Sequence, residues 1–183
     1  PVVHPRRLIV FGTAEGVVHG TSDDGEALFR QELSGAVHGG AMILETGDIV
    51  VGSEGGEVVL LDRSGERRWE TQLEGGTRST PALGLDGNIY VSTLRGRVVA
   101  LDAQNGEIRW QFQTGGALRA SPLVDRRGWI YIGSQDRNVY CLNPEGELQW
   151  QLRLGAQIDS TGAIGAEGTY FTGCDDGRLY ALR

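Results

Sequence analysis

The sequence predicts an all-β propeller: four complete four-stranded antiparallel blades followed by a three-stranded fifth. Three observations predict it. Trp69, Trp110 and Trp150 recur at steps of 41 and 40 residues, and Phe29 stands 40 before Trp69. Small residues keep the same rhythm, with Gly25, Gly65, Gly106 and Gly146 in one set and Gly12, Gly52, Ser92, Gly133 and Gly173 in another. A fixed period near 40 marks one supersecondary unit copied several times, none able to bury its apolar face alone. Finally, no segment sustains a 3.6-residue periodicity, and glycines interrupt every window long enough for a helix. Four short strands in about 40 residues make a propeller blade, whereas β-solenoids have shorter coils.

The third unit shows each element most plainly. Pro81-Ala82-Leu83 is a short apolar strand, and Asp86-Gly87-Asn88 is a turn signal. Ile89-Tyr90-Val91-Ser92 is β-branched and aromatic, hence a second strand. Arg95-Gly96 turns into Val98-Val99-Ala100-Leu101, and the stretch from Asp102 to Gly106 turns again. Residues 107–112, which carry Trp110, alternate polar and apolar as a half-buried outer strand does. The same elements place blades at about 1–33, 37–73, 77–113, 118–154 and 158–183, all in one domain. The single 41-residue step comes from one extra residue in the turn after Asp102, which leaves strand registers intact. Asp62, Asp102 and Asn143 end third strands, where a side-chain acceptor closes the turn, and Ser22 takes that place in the first unit.

Composition narrows the function classes. The 183 residues, 39% apolar, suffice for one sizeable core. The net charge of −7 argues against nucleic acid or an anionic membrane as partner. All 17 basic residues are Arg, a uniform bias that reads as genome composition rather than chemistry. Cys141 and Cys174 give no disulfide framework and read as small packed residues. No run of 18 apolar residues exists, so no membrane insertion is expected. No signal peptide is visible, although a chain starting at Pro1 is compatible with a leader removed earlier.

Candidate chemistry is sparse. Asp24-Gly25, Asp86-Gly87 and Asp176-Gly177 read as hairpin turns, since no segment has EF-hand spacing. His4, His19 and His38 lack ligand spacing, so no zinc or other metal site is expected. All three fall in the first 38 residues, which places them poorly for a nucleophile triad. Without Lys there is no phosphate-binding loop of the Gly-x-x-x-x-Gly-Lys type. Arg67-Arg68 and Arg126-Arg127 read as solvated charges in or near turns. The better candidates are four equivalent residues ahead of the first strands, His38, Arg78, Arg119 and Asp159, spaced by 40, 41 and 40. In a propeller they face the axial funnel. They read either as a polar ring for a carboxylate, peptide or ion, or as a solvated entrance in which Arg78 pairs with a neighbouring acid.

The run Ala100-Leu101-Asp102-Ala103-Gln104-Asn105-Gly106-Glu107-Ile108-Arg109-Trp110 resembles the tryptophan-docking motif of the quinoprotein-type, pyrroloquinoline-quinone-like propeller family, Ala-x-Asp-x-x-Thr-Gly-x-x-x-Trp. Residues 120–124 and 129–134 look like its inner strands, and residues 175–182 fit as well. WD40 repeats share the period, but their Trp-Asp dipeptide is missing. The resemblance implies that Trp69, Trp110 and Trp150 are structural, each lying on a glycine turn of the neighbouring blade, with a weaker contact at Phe29. The family includes quinone-dependent dehydrogenases and non-catalytic relatives. Among the latter are the lipoprotein scaffold of the outer-membrane β-barrel assembly machinery and sensor or interaction domains. This chain lacks the adjacent cysteine pair and the calcium-plus-aspartate site of the dehydrogenases, so neither cofactor nor enzymatic activity is expected. The reading that follows is a non-enzymatic protein-interaction scaffold with protein partners, within a larger bacterial envelope or signalling protein. The resemblance favours a periplasmic or cell-envelope location. The alternatives are a fragment of a quinone-dependent dehydrogenase and a small-ligand sensor. Self-association is expected if the ring is open.

Overall fold

The four inner segments of each repeat are too short to bury much alone, so each must pair and then stack. The computed structural model describes residues 1–4 and 8–183. It holds 19 strands and no helix among those residues. The first sheet comprises β1 (Val2–His4), β2 (Leu8–Gly12), β3 (Val17–Ser22) and β4 (Ala27–Glu32). The second comprises β5 (Met42–Ile43), β6 (Ile49–Gly52), β7 (Glu57–Leu61) and β8 (Arg67–Gln72). The third comprises β9 (Ala82–Leu83), β10 (Asn88–Ser92), β11 (Arg97–Asp102) and β12 (Ile108–Gln113). The fourth comprises β13 (Leu123–Val124), β14 (Ile130–Gly133), β15 (Asn138–Leu142) and β16 (Leu148–Arg153). The fifth has β17 (Ala163–Ile164), β18 (Tyr170–Cys174) and β19 (Arg178–Leu182). Every strand pairs antiparallel with its sequence neighbour, the up-and-down meander of a propeller blade.

Burial explains the residue choice. β6 and β7 are buried at every position, because one sheet face meets the preceding blade and the other meets the following one. Ile49 and Val51 join the first-sheet residues Leu8, Val10 and Val18 in one core. Val50 and Val58, on the other face, join Ile89, Val91 and Val99 of the third sheet. Two further cores link the third sheet to the fourth and the fourth to the fifth. Each fully buried Ile, Val or Leu contributes about 1.5–3 kcal/mol. Inner strands are therefore continuous apolar runs, whereas outer strands such as β12 and β16 remain largely exposed and alternate.

No core cluster among the described residues joins the fifth sheet to the first. On the first sheet Val3 is 65% exposed, and on the fifth Leu179 is 75% exposed. Leu179 shares its face with Phe171 and Ala181, since Gly173 pairs with Leu179 and Phe171 with Ala181. Among the described residues the five blades thus pack consecutively, each against the next.

Successive blades are locked by aromatic docking. A Cβ on Gly106 would lie 2.7 Å from Trp69, one on Gly146 would lie 2.6 Å from Trp110, and one on Gly65 would lie 2.5 Å from Phe29. Each of these glycines also has positive φ, between 76° and 84°. The indole N–H of Trp69 donates to the Ala103 carbonyl at 3.0 Å, and that of Trp110 to the Pro144 carbonyl at 2.8 Å. Phe29 covers Gly65 but has no N–H to donate. A bulge in every complete blade aims the aromatic: the register shifts between Gly20 and Thr21, Leu60 and Leu61, Ala100 and Leu101, and Cys141 and Leu142. The residue left unpaired, such as Arg109, immediately precedes the aromatic. The longer turn after Asp102 closes from the Gly106 N–H to the Asp102 carbonyl, one residue further than the Gly65-to-Asp62 and Gly146-to-Asn143 turns.

Gly146→Ala should cost about 2–4 kcal/mol, the sum of left-handed strain and the collision with Trp110. Gly25→Ala should cost only about 1–2 kcal/mol, because φ there is +86° but nothing lies within 4 Å. Urea unfolding of the two variants checks this, and equal losses would show that docking adds nothing.

Candidate functional site

The four loops that join successive blades meet at the axis. Each is pinned twice by its backbone. On one side Val37, Thr77, Leu118 and Ile158 donate to the carbonyls of Thr13, Ser53, Thr93 and Ser134. On the other, the loop carbonyls of Ala36, Gly76, Ala117 and Gln157 accept from Glu54, Leu94, Gln135 and Asp175 of the next blade. A belt of side-chain bonds runs inside them. Gly40 N–H donates to Thr80 Oγ1, Thr80 N–H to Ser121 Oγ, and Ser121 N–H to Thr161 Oγ1, each at 2.9 Å. The rim is therefore preorganised by backbone rather than by mobile side chains.

Two residues before this belt stand His38, Arg78, Arg119 and Asp159. The structure gathers them into two sets. Glu54 Oε1 accepts from Arg78 Nε and lies 3.6 Å from His38 Nε2. Asp159 lies 4.0 Å from Arg119 Nε and accepts from the Gln135 side-chain amide at 3.0 and 3.2 Å. No ion pair or hydrogen bond joins the two sets among the described residues. The side chains of His38, Arg78 and Arg119 are 44%, 41% and 48% exposed. Exposed pairs of this kind contribute little to stability, typically under about 1 kcal/mol. One carboxylate oxygen of Glu54 lies against both Arg78 and His38, and Arg119 makes no hydrogen bond among the described residues.

Sequence reasoning missed Glu54, which lies against Arg78 and His38, and Gln135, which holds Asp159. The signal was present. Ala14, Glu54, Leu94, Gln135 and Asp175 keep the 40, 40, 41 and 40 spacing, and the last four each donate a backbone N–H to the loop before their blade.

The docking residues lie where the blades meet. Trp69 is buried, while Phe29, Trp110 and Trp150 are half-buried. Trp150 packs near Tyr131, with ring centroids 5.9 Å apart.

A second cleft, of about 630 Å³, opens between the β13–β14 and β17–β18 turns, lined by Asp125, Arg126, Arg127, Glu167 and Arg183 among others. Two of these charges are committed to each other. Arg127 donates to Asp125 at 2.9 Å and to Tyr131 at 2.8 Å, and lies 4.0 Å over the Trp129 ring. Arg127 is thus tied into the fold rather than a solvated charge. Arg67 likewise lies in β8 rather than in a turn, and pairs with the buried Glu57 at 2.5 Å. Burial works to raise the Asp125 carboxyl. Hydrogen bonds from the Arg127 side chain and from the Trp129 and Arg127 backbone outweigh it and hold the group below the usual carboxylate range. Burial pushes the Cys141 thiol up to about 12. Both cysteines are free and buried in the core between the fourth and fifth sheets. No group of three or more His, Cys, Asp or Glu among the described residues is placed to hold a metal ion, and no helix is long and apolar enough to cross a membrane.

The family described as outer membrane protein assembly factor BamB matches residues 14–161 and 95–183. The chain belongs to this family of PQQ-like propeller repeats. The crystal structure of BamB from Moraxella catarrhalis is similar in fold, with a TM-score of 0.86 at 22% identity. The match covers 99% of this chain and 60% of that one. No curated protein matches the chain.

Two measurements probe the local chemistry. Asp125 has a depressed folded-state pKa, so its contribution is present above the unfolded value and is lost as pH falls through the folded one. Asp125→Asn should cost about 1–3 kcal/mol at neutral pH, and the gap to the parent should close progressively below about pH 4. Unfolding curves of both proteins across pH read this directly. Cys141 should resist a disulfide reagent at about pH 8 in the native protein and react fully in urea, as a buried thiol does. Rapid native labelling, mapped by mass spectrometry, would contradict its burial.

Proposed function

We propose that this chain is a non-enzymatic protein-binding scaffold of the bacterial cell envelope, a single propeller domain with blades at 1–33, 37–73, 77–113, 118–154 and 158–183, working within a larger assembly. Membership of the BamB family supports the class of function, since the family is described as an outer membrane protein assembly factor. The observation that carries the site is the axial rim. Arg78 and Arg119 are half-exposed cations, and His38 a half-exposed imidazole beside Glu54, on loops pinned by backbone hydrogen bonds. Fixed cations of this kind suit acidic side chains or backbone carbonyls on a protein partner. Asp159 and Glu54 limit the net positive charge, which favours a polypeptide with scattered carboxylates over a polyanion.

A photo-reactive residue placed at position 78 or 119 tests this in cells, with position 23, in the β3–β4 turn, as the control. The expected result is crosslinking to outer-membrane assembly proteins from the rim positions alone. Arg78→Glu with Arg119→Glu should weaken the same association by about tenfold or more while leaving the unfolding midpoint nearly unchanged. Crosslinks from neither rim position would overturn the assignment. Saturable binding of pyrroloquinoline quinone with calcium would replace it with the oxidoreductase reading.

A further inference from the structure

Asn105 is followed by glycine, as no other asparagine of the chain is. It lies exposed in the turn between β11 and β12, the turn that carries the extra residue. Ser64 and Glu145 hold the same place before Gly65 and Gly146, and neither offers a carboxamide. Of the docked glycine turns, the one beneath Trp69 alone joins this chemistry to a joint between blades.

That turn is held from outside on both sides of Asn105. The Trp69 indole N–H donates to the Ala103 carbonyl at 3.0 Å, and the Thr71 hydroxyl donates to the Gly106 carbonyl at 2.6 Å. A Cβ on Gly106 would lie 2.7 Å from the Trp69 ring. The second blade therefore fixes the length of chain between residues 103 and 106. Within the turn, the Glu107 N–H donates to Asn105 Oδ1 at 3.0 Å, and the Gly106 N–H donates to the Asp102 carbonyl at 2.9 Å.

These contacts bear on one reaction. The Asn105 carboxamide carbon is an electrophile, and the Gly106 backbone nitrogen can close a five-membered ring onto it. Glycine leaves that nitrogen unshielded by a Cβ. The Glu107 N–H already sits on the oxygen that takes up negative charge as the ring closes. The exposure of Asn105 lets ammonia leave and water enter.

We infer that Asn105–Gly106 is a self-modification site whose conversion loosens the joint between the second and third blades. Once the Gly106 N–H leaves the Asp102 carbonyl, its nitrogen bonds to Asn105 Cγ and its proton passes to solvent. The Cγ–Nδ2 bond breaks, ammonia departs with a proton from water, and a succinimide remains. Water then opens either imide bond, and nothing is oxidised or reduced. One product is aspartate. The other is isoaspartate, in which the chain runs through Cβ and Cγ and gains one backbone atom. That atom falls between the two carbonyls that Trp69 and Thr71 hold, so both bonds cannot persist.

The test ages the 183-residue protein at mildly alkaline pH, beside a synthetic peptide of residues 102–114 as the unfolded reference. Peptide mapping should find aspartate and isoaspartate at position 105, ahead of any change at Asn88, Asn138 or Asn143. The aged fraction, separated by its added negative charge, should unfold at a urea concentration about 0.5 M or more below the parent. Asn105→Ser should stay unchanged on ageing in both measurements. Freshly prepared Asn105→Asp, which has the charge without the longer backbone, should unfold within about 0.2 M of the parent. An Asn105 still intact in the folded protein after the peptide has fully converted would overturn the site. An aged fraction that unfolds with the parent, or an Asn105→Asp variant that loses as much as the aged fraction, would overturn its effect on the joint.

Discussion

The structure depends on a close approach: an aromatic ring on the outer strand of one blade packs against a glycine turn of the next. The approach requires two things at once. The turn must present no Cβ, and its backbone must enter a conformation that L side chains disfavour, and glycine meets both demands. The contact then adds a directional bond, from the indole N–H to a turn carbonyl, to non-directional burial. The bulge before each aromatic is part of the same device, because a regular strand would keep the ring in step with the alternation of its neighbours. Blade stacking, the inter-blade cores and the placing of the axial loops all follow from this repeated joint.

The joint also explains why the rim can be built from weak ion pairs. Its loops are held by backbone hydrogen bonds on both sides and by the Thr80, Ser121 and Thr161 belt within. Side chains at the mouth are therefore relieved of holding the blades together. His38, Arg78, Arg119 and Asp159 are half-exposed, and their ion pairs are not what fixes the loops that carry them. Arg127 and Asp125 show the opposite case. There the pair is hydrogen-bonded to Tyr131, half-covered by Trp129, and spent on positioning a turn.

How far the sequence reveals this depends on whether a feature repeats. The blade order, the extra residue after Asp102 and the spacing of Gly106 to Trp110 are legible because they recur at fixed separation. Asp62 and Asn143 act as predicted, accepting from Glu66 and Glu147 backbone N–H groups, and Ser22 does the same for Glu26. Glu54 and Gln135 were missed although they keep the period, because their role arises only from the angle at which neighbouring blades meet. The pairing of Arg67 with Glu57 is illegible for a related reason: charge adjacency in sequence says nothing of a buried carboxylate on the strand beside it. Arg137 is a third case. It occupies the turn position held by Gly56 and Gly96 in other blades and adopts φ of 75°. Such a residue is visible as a break in the pattern, but the strain it carries is visible only in the backbone.

Edges follow a similar logic. The outer strands β8, β12 and β16 carry Arg, Glu and Gln at alternate positions, the composition by which exposed sheet edges resist pairing. β19 does not share it. Its sequence, Arg-Leu-Tyr-Ala-Leu, matches the covered third strands Glu-Val-Val-Leu-Leu and Asn-Val-Tyr-Cys-Leu in the order of polar and apolar positions. Third strands therefore carry the residues of a covered position and fourth strands those of an exposed one, whichever blade they belong to.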